Sequence, residues 1–180
     1  MKKTNIVLIG MPAAGKSTVG VLLAKRLGYS FVDVDLVIQE KTGKLLKELI
    51  AELGEQGFLR LEEQMNRDLA EKRAVIAPGG SVIYGKEAME HYRKTAVIVY
   101  LKLSCEELKK RIGDTRDRGV VLKDGMTLED LYAERVPYYE AYAEITLDEE
   151  GKDLGQVVDE LRACFEERFS AEAEAEKRTV

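Results

Sequence analysis

The chain has 180 residues, of which 45% are hydrophobic and 34% charged, which is typical of a globular domain with a sizeable core and excludes a disordered chain. Its formal net charge of −5 provides no basic field for nucleic acid or an anionic membrane, and no stretch approaches the roughly 20 apolar residues of a membrane span. Two distant cysteines without metal-ligand spacing and the lack of a signal-peptide pattern lead us to expect a cytoplasmic protein.

The first predicted element is a short buried strand, residues 6–9, which runs directly into a glycine-framed segment, residues 10–18. The segment reads Gly-Met-Pro-Ala-Ala-Gly-Lys-Ser-Thr and fits the phosphate-binding pattern G-x-x-x-x-G-K-[ST]. An amphipathic stretch that ends at Gly28 follows, so strand, turn and helix occur in the order that the pattern requires. A glycine turn that binds nothing is the alternative.

The chemistry of this segment favours a nucleotide. Gly10 and Gly15 allow the backbone to curl so that N–H groups converge on phosphate oxygens, and the helix directs its positive end at the same atoms. Lys16 can bridge the outer phosphates, and the hydroxyl of Ser17 can ligate Mg²⁺. The chain contains no Asn-Lys-x-Asp element to select guanine, so we expect ATP and Mg²⁺.

The rest of the chain alternates between strands and helices. Strands are predicted over residues 6–9, 31–35, 74–77, 97–101 and 145–147. Helices are predicted over residues 36–71 with interruptions at Gly43, Gly54 and Gly57, and over 86–93, 105–112, 128–143 with a break at Pro137, and 154–169. The alternation, with its long crossovers, predicts an α/β fold with a parallel sheet covered on both faces.

Two carboxylates lie at the predicted C-terminal end of the second strand. Strand C-termini line the ligand crevice of such sheets, and a side-chain period of two would place Asp33 and Asp35 on one face. One carboxylate near Mg²⁺ and another near an attacking hydroxyl is the arrangement that phosphoryl transfer to an alcohol needs. The alternative is a helix N-cap and a solvated loop.

Several stretches, in this order, resemble the shikimate kinase family of small P-loop kinases over residues 4–165. They are Ile9–Pro12 with Gly15–Gly20, Phe31, Asp33 and Asp35, Gly54, Glu55 and Phe58, Glu62, Gly79–Val82, Tyr100 and Leu101, Leu108 and Arg111, and Glu134, Arg135, Pro137 and Tyr139. The resemblance implies a P-loop NTPase three-layer αβα fold with a five-stranded parallel sheet in the order 2-3-1-4-5. It also implies one kinase domain over residues 1–170, with a helical acceptor-binding lobe at about 36–62, a flexible lid at about 113–125, and a frayed tail over 171–180.

The resemblance further implies roles for individual residues. The nucleotide would be bound by Gly10, Ala13, Ala14, Gly15, Lys16, Ser17, Thr18, Arg111 and Arg118. The metal would be held by Ser17 and Asp33, and the acceptor by Asp35, Gly79, Gly80 and Arg135. Catalysis would involve Lys16, Asp35 and Arg118.

Four departures from the family pattern are evident, of which Ala13 in the phosphate loop is the mildest. Leu59 stands where the family has an arginine that pairs with the acceptor carboxylate, and leucine cannot replace that contact. Pro78 replaces the first of three glycines and removes one N–H donor. The lid reads Arg118-Gly119 instead of Arg-Pro. Two of the departures, at Leu59 and Pro78, fall on acceptor recognition.

Three hypotheses follow for function. The first is an ATP- and Mg²⁺-dependent kinase that phosphorylates a hydroxyl of a small polar metabolite, with shikimate as the acceptor. The second is a related kinase with a different hydroxy acid, an amino-acid alcohol or a polyol as the acceptor. The third is an ATP-binding regulatory module without turnover. The expected partners are ATP and the small acceptor, without nucleic acid or membrane, in a monomer or a small homo-oligomer.

Overall fold

A computed structural model describes residues 3–112 and 126–178, with the side chains of residues 169–178 excepted. The predicted lid at 113–125, with Arg118, lies outside the described residues. The strands are β1 Asn5–Ile9, β2 Ser30–Asp33, β3 Ala74–Ala77, β4 Ala96–Lys102 and β5 Ile145–Asp148. The helices are α1 Lys16–Leu27, α2 Val34–Thr42, α3 Leu46–Arg67, α4 Lys86–Thr95, α5 Cys105–Ile112, α6 Leu128–Tyr142 and α7 Leu154–Arg178, with a short 3₁₀ helix at Val82–Tyr84.

The five strands form one parallel sheet in the order β2-β3-β1-β4-β5, which confirms the predicted topology. Strand β1 lies at the centre, with Ile6 opposite Val75 of β3 on one side and Val97 of β4 on the other. All residues of β1 and β3 are buried, because helices cover both faces of a parallel sheet. The strand before the glycine loop is therefore held rigidly in the core.

The second strand is shorter than predicted, and this changes the position of Asp35. Strand β2 ends at Asp33, and helix α2 begins at Val34. The prediction that both aspartates share one strand face is therefore wrong. The physical reason is capping: the side chain of Asp33 accepts hydrogen bonds from the N–H groups of Asp35 and Leu36, which starts the helix.

Three helices also differ from the predicted pattern. Two of the three predicted interruptions are confirmed: Gly43 ends α2 with a φ of +67°, and Gly54 kinks α3 with a φ of +68°. The third is wrong, because Gly57 lies inside α3 without interrupting it. The predicted break at Pro137 is wrong, because α6 continues through it and is held by packing of the buried Tyr139. Helix α7 extends beyond the predicted end at residue 169 to Arg178, in a segment rich in the helix formers alanine and glutamate.

Among the described residues, no helix has the length and apolar character that a bilayer crossing requires.

Candidate active site

The glycine-framed loop between β1 and α1 has the backbone geometry that its sequence predicts. Gly10 and Gly15 have φ of +152° and +91°, values that favour glycine. A Cβ atom on Gly10 would lie 2.8 Å from the carbonyl oxygen of Leu101, so β4 also requires a glycine there. Ala13 adopts a φ of +64°, and its small side chain limits the strain. The loop thus approaches α1 in a tight curve, with Ala14 buried inside it.

Lys16 folds back over this loop. Its Nζ donates hydrogen bonds to the carbonyl oxygens of Gly10 and Met11, at 3.0 and 3.1 Å. Burial lowers the pKa of Lys16 to about 8, while the nearby carboxylate of Asp35 acts in the opposite direction. An ammonium group held at the mouth of a phosphate loop is placed to contact phosphate oxygens.

Ser17 and Asp33 are joined across the first turn of α1 and the end of β2. The hydroxyl of Ser17 donates to Oδ2 of Asp33 at 2.7 Å, while Oδ1 of Asp33 caps α2. Asp33 therefore serves as the helix cap that was the alternative interpretation and also as the partner of Ser17. The neighbouring Thr18 is exposed on the first turn of α1.

Asp35 reaches the same region from the first turn of α2. Burial and then the charge of Asp33 raise the pKa of Asp35, while Lys16 lowers it. Its Oδ1 would lie 3.3 Å from a Cβ atom on Gly79, so it faces the glycine turn after β3. Asp35 thus lies between the phosphate loop and a cavity.

The cavity has a volume of about 240 Å³ and separates the phosphate loop from α3 and α6. It is lined by Pro12, Asp35, Leu46, Lys47, Ile50, Glu55, Phe58, Leu59, Glu62, Gly79, Gly80, Ser81, Tyr84, Leu131 and Arg135. Three of the four predicted acceptor residues, Asp35, Gly79 and Gly80, thus meet the fourth, Arg135, at one cavity. The kink at Gly54 divides α3 into two segments, and both segments line it.

Two glycines form the wall of the cavity nearest to the phosphate loop. A Cβ atom on Gly79 would lie 2.2 Å from Oε1 of Glu62, which leaves no room for a side chain. A Cβ atom on Gly80 would lie 3.0 Å from Nη1 of Arg135 and 3.3 Å from Cδ of Pro12. Because the charged side chains of Glu62 and Arg135 approach so closely, both positions require glycine, and the backbone there is exposed to the cavity without a side chain.

Arg135 is a half-buried cation whose described contacts are to tyrosine. Its Nε donates to the hydroxyl of Tyr84 at 3.3 Å, and its Cζ lies 5.5 Å from the centre of the same ring. The hydroxyl of Tyr84 in turn donates to Glu134 at 2.5 Å. Within the described residues no carboxylate forms an ion pair with Arg135. A guanidinium held in this way is suited to an anionic ligand.

Glu62 is a part of the site to which the sequence assigned no role, although it matches the family pattern. It is 2% exposed, and its Oε2 accepts a hydrogen bond from the hydroxyl of Ser81 at 2.6 Å. Burial raises the pKa of Glu62 to about 7. A signal was present in the sequence, because Glu62 follows Phe58 by one helical turn on the buried face of α3.

Arg111 lies on the other side of the phosphate loop. Its Nη1 donates to Oε2 of Glu149 at 3.0 Å and lies 3.5 Å from the carbonyl oxygen of Ala14. Glu149 is 2% exposed and was not among the predicted site residues. Arg118 lies outside the described residues, so its predicted contact with the phosphates stays a prediction.

A phosphate loop at the central strand, a lysine over it and an acidic cavity beside it define a P-loop kinase that acts on a small molecule.

Comparison with known proteins gives the family. A family model described as shikimate kinase matches residues 12–166, so the chain belongs to the shikimate kinase family. The shikimate kinase of Thermodesulfovibrio yellowstonii is 37% identical over 165 residues, which cover 90% of this chain and 95% of that protein. The shikimate kinase of Chlorobium chlorochromatii is 35% identical over 172 residues, which cover 89% of this chain and 90% of that protein.

A solved structure agrees with this assignment. The shikimate kinase of Acinetobacter baumannii in complex with shikimate has a TM-score of 0.81 at 29% identity, covering 94% of this chain and 95% of that chain. The chain is therefore an ATP-dependent kinase with the P-loop NTPase fold.

Proposed function

We propose that the protein transfers the γ-phosphoryl group of ATP to a hydroxyl group of shikimate, giving shikimate 3-phosphate and ADP. The observation that carries the proposal is the position of Asp35, which lines the acceptor cavity and acts electrostatically on Lys16 of the phosphate loop. A hydroxyl bound in the cavity would thus lie between a carboxylate and the end of the triphosphate. The guanidinium of Arg135, which forms no ion pair with any of the described residues, lines the same cavity and suits the carboxylate of shikimate.

The residues act mainly by positioning and by charge. Asp35 orients the attacking hydroxyl and accepts its proton, and its raised pKa makes it a stronger base than an exposed aspartate. Lys16 neutralises charge on the transferred phosphoryl group, an effect on the order of 3 kcal/mol for one well-placed donor. Gly79 and Gly80 allow the acceptor to approach the backbone closely.

The residues near the phosphate loop fit a magnesium ion. Ser17 and Asp33 bring a hydroxyl and a carboxylate oxygen within 2.7 Å of each other, and Mg²⁺ prefers such hard oxygen ligands. Ser17 and Asp33 would hold the ion beside the nucleotide phosphates, where it would neutralise their charge.

We assign the lobe at about 36–62 to acceptor binding and the segment at about 113–125, with Arg118, to closure over the nucleotide. Arg111 is assigned to the nucleotide because it contacts the phosphate loop at Ala14. A cytoplasmic location and a monomeric or small homo-oligomeric state stay predictions of the sequence.

An assay of ADP release tests the proposal. We expect shikimate to support turnover in a panel that also contains other hydroxy acids, amino-acid alcohols and polyols. Asp35→Asn should lower kcat by roughly 100-fold or more with little change in ATP binding, because a general base is lost. Asp159→Asn, an exposed residue on α7, is the matched control.

The panel separates the alternatives. Turnover with another acceptor and not with shikimate would contradict the acceptor but not the chemistry. ATP binding without turnover on any acceptor would support the regulatory alternative, which the intact Lys16, Ser17, Asp33 and Asp35 oppose.

A further inference from the structure

Both acidic and basic side chains line the acceptor cavity. Among the described residues, Asp35, Glu55 and Glu62 are its acidic residues, and Lys47 and Arg135 are its two cations. Lys47 lies near the start of α3 and Arg135 in the middle of α6, so the two positive charges reach the cavity from different elements. A ligand with a carboxylate can therefore meet a cation from each of two walls.

The helical spacing of α3 explains why Lys47 faces the cavity. Leu46, Lys47 and Ile50 all line it, and residues three and four positions apart share one face of a helix. The aliphatic stem of Lys47 can thus follow an apolar wall while its ammonium group stays exposed.

The ammonium group of Lys47 is available for a ligand. Within residues 3–112 and 126–178 it forms no hydrogen bond and no ion pair. The nearby Lys44 differs, because it forms an ion pair with Glu52 and does not line the cavity. Lys47 therefore has no protein partner among the described residues, and the same cavity holds Arg135, whose described partners are tyrosines and not carboxylates. Two cations without carboxylate partners at one cavity are suited to an anion.

Leu59 leaves one wall of the cavity without the positive charge that the family pattern has there. The side chain of Leu59 lines the cavity. The next residue, Arg60, does not line it but contributes to a neighbouring cavity of about 160 Å³, because one step along a helix turns the side chain by about 100°. Arg60 therefore does not replace the missing guanidinium.

We propose that Lys47 acts together with Arg135 to bind the carboxylate of the acceptor, in place of the guanidinium that Leu59 does not supply. The proposal rests on the proposed function, since it takes a carboxylate-bearing acceptor as the ligand. A lysine ammonium is a point charge without the planar fork of arginine, so it fixes the carboxylate less strictly. Acceptor binding through an exposed lysine also weakens as salt is raised.

Steady-state kinetics of Lys47→Gln test this role. We expect the KM for shikimate to rise about tenfold at low salt, with kcat and the KM for ATP nearly unchanged, because one charge contact is lost. Lys41→Gln is the matched control, since Lys41 is an exposed lysine of α2 that does not line the cavity. An unchanged KM for shikimate in Lys47→Gln would overturn the proposal.

Two further measurements identify the carboxylate as the partner. With the methyl ester of shikimate as the acceptor, wild type and Lys47→Gln should have the same KM. Adding Leu59→Arg to Lys47→Gln should restore the KM for shikimate. An equal loss with the ester would show that Lys47 acts on the fold of the cavity and would overturn the proposal.

The failure of the proposed function gives a different result. If the proposed function fails, the wild-type protein does not turn over shikimate. The KM values of wild type and Lys47→Gln would then be compared with the acid that the panel identifies as the acceptor. If no acceptor is turned over, calorimetric binding of shikimate in the presence of ADP gives the same comparison, and equal affinities of wild type and Lys47→Gln would overturn the role of Lys47.

Discussion

Nη1 of Arg111 lies 3.0 Å from Oε2 of Glu149, and this ion pair joins the end of α5 to the segment after β5. The two partners are unequally buried, because the side chain of Arg111 is 32% exposed and that of Glu149 only 2%. Within the described part of the chain, Oε1 of Glu149 has no hydrogen-bond partner. Burial raises the pKa of Glu149, so its charge is held in the folded protein at a cost.

The unequal burial of Arg111 and Glu149 predicts that removing the charge of Glu149 stabilises the fold but weakens nucleotide binding. Glu149→Gln should raise the free energy of unfolding at pH 8, because the raised pKa of Glu149 indicates that the burial of its charge outweighs the attraction of Arg111, which at 32% exposure stays hydrated. The KM for ATP should rise several-fold, since Arg111 is held less firmly against the phosphate loop. Denaturant unfolding and kinetics measure the two effects, with the exposed Glu160→Gln as the control. A loss of stability with an unchanged KM would contradict the prediction.

The pKa of Glu62 predicts a dependence of stability on pH. This pKa is raised from 4.5 to about 7, so between these values the folded protein holds a proton that the unfolded chain releases. The free energy of unfolding should therefore fall as the pH rises from 4.5 through 7, by about 3 kcal/mol in total from this group. Urea unfolding from pH 5 to pH 8 measures the fall. Glu62→Gln should flatten the profile, while Glu90→Gln, an exposed residue of α4, should not.

The lowered pKa of Lys16 predicts that nucleotide affinity depends on pH. With a pKa of about 8, Lys16 loses its charge as the pH rises above that value, although Asp35 opposes the loss. ADP affinity should fall on the order of tenfold from pH 8 to pH 9.5, and binding at pH 8.5 should take up a proton. Calorimetry in two buffers of different ionisation enthalpy measures the uptake.

The matched variant for this prediction is Lys16→Arg, which stays charged throughout the range. Its ADP affinity should be weaker because the geometry differs, yet independent of pH. Proton uptake by Lys16→Arg equal to that of wild type would assign the effect to another group.

The close approach of Arg135 to Gly80 predicts a selective effect on the acceptor. A methyl group in Gly80→Ala would meet Nη1 of Arg135 at 3.0 Å and displace the guanidinium. The KM for the acceptor should rise about tenfold or more, whereas ATP binding should change less. Separate titrations of ATP and acceptor test this. Gly155→Ala, at the exposed start of α7, should leave both constants within twofold.

The phosphate loop could be predicted because its signals are local. The strand β1, the glycines at positions 10 and 15, and the lysine at position 16 occur in one short stretch, and each acts through its own backbone or side chain. Helix α5 was predicted with its observed bounds for the same reason, since Ser104 caps the N–H of Glu107.

The position of Asp35 could not be read from periodicity. A strand and a helix are both compatible with the residues around it, and the choice was made by the hydrogen bonds of the Asp33 side chain. Pro137 is similar, because packing of α6 in the folded protein keeps it helical through a residue that favours a break.

The sequence by itself determined the parallel α/β topology, the phosphate loop and the presence of two aspartates beside it, because hydrophobic periods and glycine positions act over a few residues. Only the tertiary structure decided which distant side chains come together: Arg111 contacts Glu149, Ser81 contacts Glu62, and Lys47 and Arg135 line one cavity. Such encounters depend on how whole helices pack against the sheet. Helix packing cannot be predicted from a local sequence pattern, so these contacts are seen only in the folded chain.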